Sequence, residues 1–178
     1  RPVGALMPLV TPLRRMPIPE RVGEFLTDLV GRSVIAENRN ELDFDADDAA
    51  FHSAVYVDDD GRVAGACVSD LGFAAYSGAA LAMIPKPVAA ESIAAGELNE
   101  TLTENFHEVA NIVTALLNGP SNAHLKIRDV VVGVPQEVRD LVLRAAGRRF
   151  VEVERNWAAS AAGYVAPYDS FTTALQAA

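Results

Sequence analysis

The stretch that most constrains the fold is LNETLTENFHEVANIVTALLN, Leu98 to Asn118, closed by Gly119 and Pro120. On a helix, Leu102, Phe106, Val109, Ile112, Val113, Leu116 and Leu117 fall on one side at three- and four-residue spacing, the pattern of a face turned towards a core. At about 100° per residue, Glu104, Glu108, Asn111 and Asn118 gather on the other side, within roughly one-third of the circumference. Thr101 with Glu104 three residues on reads as a capping box. Gly119 is placed for a left-handed C-cap, and Pro120 blocks continuation. The spacing therefore predicts a long helix that buries one face and offers carboxylates beside a carboxamide on the other. By spacing alone, an ordinary solvated face reads the same way.

The rest of the chain supplies what such a helix must pack on. Residues 1–19 carry five prolines and no clean period, and read as an irregular lead-in or an arm along the surface. Glu20 to Leu29 then reads as a helix with Gly31 past its end, and Ser33 to Ala36 can begin a strand. The acidic run Asn38 to Asp48 reads as a loop or a poorly paired edge strand. Its Asp43, Asp45 and Asp47 have calcium-loop spacing, but Asp48 stands where an EF-hand needs Gly and Ala54 where it needs Glu.

Phe51 to Val57 and Arg62 to Val68 form the clearest hairpin, with Asp60-Gly61 supplying the positive φ values of a tight turn. Asp70 is placed to cap the following helix, LGFAAYSGAALAMI, whose small residues allow close approach to a sheet. Pro85-Lys86-Pro87 interrupts the chain, and Val88 to Ala95 reads as a short helix. Leu125 to Val132 is a strand, and Pro135 opens the helix PQEVRDLVLRAAG. Phe150 to Glu154 and Trp157 to Val165 read as two paired strands, and the tail from Pro167 to Ala178 as a closing helix. Strands joined by tight turns predict an α+β fold, an antiparallel sheet with helices packed on one face. The expected organisation is one domain over residues 20–178 after the lead-in.

Several function classes are excluded or unsupported. The net charge of -9, with basic residues scattered as Arg14-Arg15, Arg32, Arg39, Lys126, Arg128 and Arg148-Arg149, argues against a nucleic-acid partner. Cys67 is the only cysteine, so no disulfide framework or cysteine-based zinc site is expected. No apolar run reaches membrane-spanning length and no signal region is recognisable, so no membrane partner and a cytoplasmic setting are expected; a trimmed N-terminus is compatible with the opening Arg1. No nucleotide-binding glycine motif is present, and Ser77 lacks a nucleophile elbow. His52, His107 and His124 have no metal-ligand neighbours at helical or hairpin spacing.

What remains is Glu108-Val109-Ala110-Asn111. Positions i and i+3 on a helix are neighbours, so the carboxylate and carboxamide can address one external group together. A carboxamide accepts from water through its oxygen and donates through its nitrogen, so it can orient that water without changing charge. In phosphoryl transfer the protein mostly positions groups and stabilises charge, and an amide aligning the attacking water is one solution.

The arrangement resembles the CheC/CheX family of chemotaxis phosphatases, and most closely the single-motif CheX branch. The residues that carry the likeness are the N-terminal helix, the hairpin VYVDDDGRVAGACV, the small-residue helix, ENFHEVANIV on a long helix, and Pro135 some two dozen residues later. The resemblance implies hydrolysis of the aspartyl phosphate on a CheY-type response-regulator receiver domain. It implies that Glu108 pairs with the receiver's active-site lysine and that Asn111 orients the hydrolytic water. Glu104, His107 and Ala115 would be further partner contacts. No cofactor is expected on this chain, since the Mg2+ belongs to the receiver, and a homodimer joined through the sheets is implied. Glu104 stands where the family usually has Asp or Ser, and Ala115 where many members have Gly. The first helix reads Glu24-Phe25-Leu26-Thr27, without a second asparagine site. Two other readings stay open: a non-catalytic receiver-binding or dimerisation module on the same scaffold, and a small-ligand sensor with a pocket between sheet and helices.

Overall fold

A computed structural model describes residues 17–31, 33–38, 51–119, 124–144, 147–154 and 173–177. Its elements are α1 (Pro19–Val30), β1 (Ile35–Asn38), β2 (Phe51–Val57), β3 (Val63–Asp70), α2 (Leu71–Leu81), α3 (Lys86–Ala95), α4 (Glu100–Leu117), β4 (Lys126–Val132), α5 (Gln136–Arg144), β5 (Gly147–Glu154) and β6 (Thr173–Ala177). The strands form one sheet in the order β1-β5-β6-β3-β2-β4, and every pairing is antiparallel. The α+β class expected from the strand order is the class observed. Residues 1–16 of the expected lead-in, the Asp43–Asp47 run and the strand from Trp157 to Val165 lie outside the described residues, and Pro19, expected to end the lead-in, already belongs to α1.

The β2–β3 hairpin lies inside the sheet between β6 and β4, and both of its faces are covered. Strand residues alternate sides, so Ala54, Tyr56 and Cys67 join a core with Val22 and Leu26 of α1, Phe73 and Ala75 of α2, Ala89 of α3 and Leu102, Phe106 and Val109 of α4. Phe51, Val55, Ala66 and Val68 point the other way and meet Val134, Val138 and Leu141. Helices α1 to α4 therefore share one face, and the structure adds α5 on the opposite one. Coverage on both sides explains why all of Phe51 to Tyr56 is buried. Ser53 is accommodated there because its hydroxyl donates to the Gly133 carbonyl at 2.6 Å, which satisfies a polar group that would otherwise be costly to bury.

Local chemistry sets the element ends. Pro19 occupies the first turn of α1, where its missing N–H costs nothing, and Gly31 closes the helix at φ 69°, a left-handed conformation that suits glycine. At the hairpin only Gly61 takes a positive φ, 77°; Asp60 does not, contrary to the two-residue turn expected. The reason is Asp58, whose carboxylate accepts from the Asp60 and Arg62 backbone N–H groups at 3.0 and 2.9 Å and builds a longer turn. These hydrogen bonds, first that of the Arg62 N–H, hold the Asp58 carboxyl below its ordinary pKa. Asp70 caps α2 as expected, accepting from the Phe73 N–H at 2.7 Å.

Three further expectations are corrected. Helix α4 has its C-cap at Asn118, at φ -90°, and Gly119 is not among the glycines with positive φ, so the left-handed cap expected there is not formed. The C-terminal tail, read as a closing helix, contains the strand β6, which fills the gap between β3 and β5. Ala, Leu and Gln of TALQA favour a helix by intrinsic propensity, and pairing on both sides overrides that preference. The N-cap of α4 is Asn99, not Thr101: its side chain accepts from the Leu102 N–H at 2.9 Å. Its own N–H donates to the Ser92 hydroxyl at 3.2 Å, so the end of α3 decides where α4 begins.

Candidate functional site

Helix α4 packs against both α2 and the sheet, and its inward face is Leu102, Phe106, Val109, Ala110, Val113 and Leu117, all buried. Contact with α2 is close at Gly78, where a Cβ would stand 3.0 Å from the Leu102 carbonyl oxygen. A second fastening comes from the sheet. The Tyr56 hydroxyl, fully buried, donates to the Ala110 carbonyl at 2.8 Å. Burial pushes the Tyr56 phenol well above its ordinary pKa, so it stays a neutral donor.

The outward face carries the sequence-predicted residues. Glu104, His107, Glu108, Asn111 and Ala115 are all exposed. Glu104, Glu108, Asn111 and Ala115 follow one another at four-, three- and four-residue steps and make a single stripe. His107 flanks it, about 60° from Glu104 around the axis by helical geometry. Among the described residues, the side chains of Glu104, His107, Glu108 and Asn111 make no hydrogen bond or ion pair, so they are uncommitted. The backbone beneath them is fixed: Ala110, next to Asn111, is held by Tyr56, and the Asn111 carbonyl accepts from the Thr114 hydroxyl.

Asn118 does not belong to that free face, although its spacing put it there. Its amide nitrogen donates to the Leu125 carbonyl and its amide oxygen accepts from the Leu125 N–H, both at 2.8 Å. The carboxamide ties the end of α4 to the start of β4 and is structural.

Of the histidines, His124 is exposed, with Nδ1 4.0 Å from Asp59, whose carboxylate also pairs with Lys126 at 3.1 Å. His52 has no role that its neighbours in sequence would assign. It lies beneath α4 with its ring edge-on to Phe106, centroids 5.9 Å apart at 86°. Its Nδ1 is buried without a hydrogen-bond partner among the described residues, and burial lowers its pKa. The signal was present in the alternation of HSAVY: His52 and Tyr56 lie on the same side of β2 as Ala54, which faces the helices.

Among the described residues, no group of three or more His, Cys, Asp and Glu is placed to hold a metal ion. Nor is any helix among them long and apolar enough to cross a membrane.

Fold and site together define an α+β protein that presents an acid–amide pair on an anchored, outward-facing helix. No family model matches the chain, and no curated protein is similar to it. Among solved structures, the chain is similar to the FliM middle domain from H. pylori, with 6% identity, a TM-score of 0.44, and coverage of 89% of this chain and 83% of that domain.

Proposed function

We propose that this chain docks on a CheY-type receiver domain and hydrolyses its aspartyl phosphate, with Asn111 and Glu108 as the working residues. The observation that carries the reading is the exposure of both side chains, one helical turn apart and free of partners among the described residues. The Asn111 carboxamide accepts a hydrogen bond from water and directs its oxygen at phosphorus, while its nitrogen donates to a phosphoryl oxygen. The new P–O bond forms as the bond to the receiver's aspartate breaks; the carboxylate leaves with the electron pair, and inorganic phosphate is released. Glu108 pairs with the receiver's lysine and fixes the approach. Glu104, His107 and Ala115 extend the contact, and the receiver contributes its own Mg2+.

Anchoring matters because an amide that aligns water works only if its position is set before the water arrives. The bond from Tyr56 to Ala110 supports this, since it fixes the turn from which Asn111 projects. The test is to charge receivers from the same organism with acetyl phosphate and follow phosphate loss with and without the protein. Faster loss with at least one receiver is expected; no acceleration with any of them would refute hydrolysis. The departures at Glu104 and Ala115 favour the second reading, a receiver-binding or dimerisation module. That reading predicts a complex with the receiver and an unchanged phosphate lifetime. The homodimer implied by the resemblance is part of the same proposal, and sedimentation analysis giving only monomer would remove it.

A further inference from the structure

A cavity of ≈ 160 Å3 opens where α4 meets the β4 edge of the sheet, on a different side of the helix from Asn111. Its apolar walls include Leu98, Phe106, Val130 and Val132, and its polar side chains are His52, Glu97 and Thr103. Val132 is 68% exposed, an unusual state for a large aliphatic residue, and marks the mouth. His52 is 5% exposed, and its Nδ1 has no hydrogen-bond partner among the described residues. Nδ1 is sealed from the cavity, so the ring nitrogen a ligand can reach is Nε2, which also makes no hydrogen bond among the described residues.

We propose that this cavity binds one uncharged six-membered ring carrying a hydroxyl group, with His52 as the polar partner. Size sets the ring: an apolar cavity of about 150 Å3 is known to take up benzene. The perpendicular rings of His52 and Phe106 form a corner against which a third ring packs by face or edge. Charge sets the rest. Burial holds the imidazole neutral, and Glu97 lies on the cavity wall, so nothing there compensates an anion and one group repels it. The hydroxyl bonds the reachable Nε2 of His52, a contact that an unsubstituted hydrocarbon ring cannot make.

The probes are phenol, toluene and benzoate, each titrated into the isotope-labelled full chain while backbone amide shifts are followed. Phenol is expected to give saturable shifts at Leu98, Phe106 and Val132, with the Asn111 and Glu108 amides unmoved. Toluene should bind at least about tenfold more weakly, the effect of one hydrogen bond of about 1.4 kcal/mol, and benzoate should give no saturable shift. His52→Phe keeps a ring in the wall and should bring phenol down to the affinity of toluene. Val132→Trp, at an exposed position that leaves the fold intact, should close the mouth and abolish the shifts. Absence of saturable phenol shifts, equal binding of all three probes, or phenol shifts that persist in Val132→Trp would each overturn the proposal.

Discussion

Replacing Tyr56 by Phe tests how the sheet holds the functional helix. The change removes one oxygen atom and leaves the ring, which is fully buried between β2 and α4. The lost contact is the 2.8 Å bond from the hydroxyl to the Ala110 carbonyl. A typical buried hydrogen bond contributes about 0.5–1.5 kcal/mol net. The cost stays within that range because the Ala110 carbonyl keeps its place in the helical ladder and is not orphaned. Packing loss is small for a change this conservative; truncation to Ala, by contrast, should cost about 3–5 kcal/mol through the cavity it leaves. Urea titration of wild type, Tyr56→Phe and Tyr56→Ala measures both values. The Tyr56→Phe midpoint should fall with an unchanged slope, by the equivalent of about 1 kcal/mol. If the hydrolytic reading holds, the same variant should lose turnover with little change in receiver affinity, since the turn carrying Asn111 is loosened while Glu108 stays exposed. Tyr56→Phe stability equal to wild type would refute the anchoring role; a loss near that of Ala would show that the hydroxyl serves something larger than one bond.

Further outcomes follow from the same packing. Gly78→Ala gains about 1 kcal/mol of helix propensity, but its Cβ would stand 3.0 Å from the Leu102 carbonyl oxygen and 3.2 Å from the Phe106 nitrogen. Both are backbone atoms of a packed helix, so a net loss of about 1–2 kcal/mol is expected, and a gain in chemical stability would contradict the close α2–α4 crossing. Asn99→Ala removes the cap of α4 and should cost about 1 kcal/mol, whereas Thr101→Ala should stay within about 0.5 kcal/mol; thermal melts of the pair distinguish the two positions. Burial holds the His52 imidazole below the ordinary histidine value of 6.5, so the unfolded chain binds its proton first as the solution is acidified. Its neutral form therefore stabilises the fold above about pH 6.5, and that contribution is lost as pH falls towards the folded-state pKa. Melting temperatures at pH 7.5 and 5.5 should drop further for wild type than for His52→Phe; equal drops would remove His52 as the cause.

What could be read in advance, and what could not, follows from the range of the interactions. The α4 stripe repeats over five turns within one segment, so local spacing reveals both its buried and exposed faces. The Asp58–Arg62 turn is similarly local, and the sequence locates the hairpin even though the turn geometry depends on how the Asp58 side chain folds back. Other features depend on distant partners. TALQA becomes β6 because β3, about a hundred residues earlier, and β5 have edges to fill. Asn118 leaves the polar stripe because Leu125, seven residues on, offers it both a donor and an acceptor. The second covered face of the sheet was visible in principle, since Phe51 and Val55 alternate with Ala54 and Tyr56 and leave neither side of β2 suited to water. The exposed positions of Glu108 and Asn111 are legible from spacing; the Tyr56 anchor beneath them requires the tertiary pairing of β2 with α4.

The measurement that tests the central claim most directly is the phosphate lifetime of a charged receiver with wild-type protein and with Asn111→Ala, alongside their urea midpoints. The account predicts that the variant loses about a hundredfold in acceleration, the usual effect of removing one preorganised hydrogen-bonding group. Its stability should stay within about 0.5 kcal/mol of wild type, as suits an exposed side chain. Undiminished acceleration by a folded Asn111→Ala protein would contradict the assignment of hydrolysis to this helix.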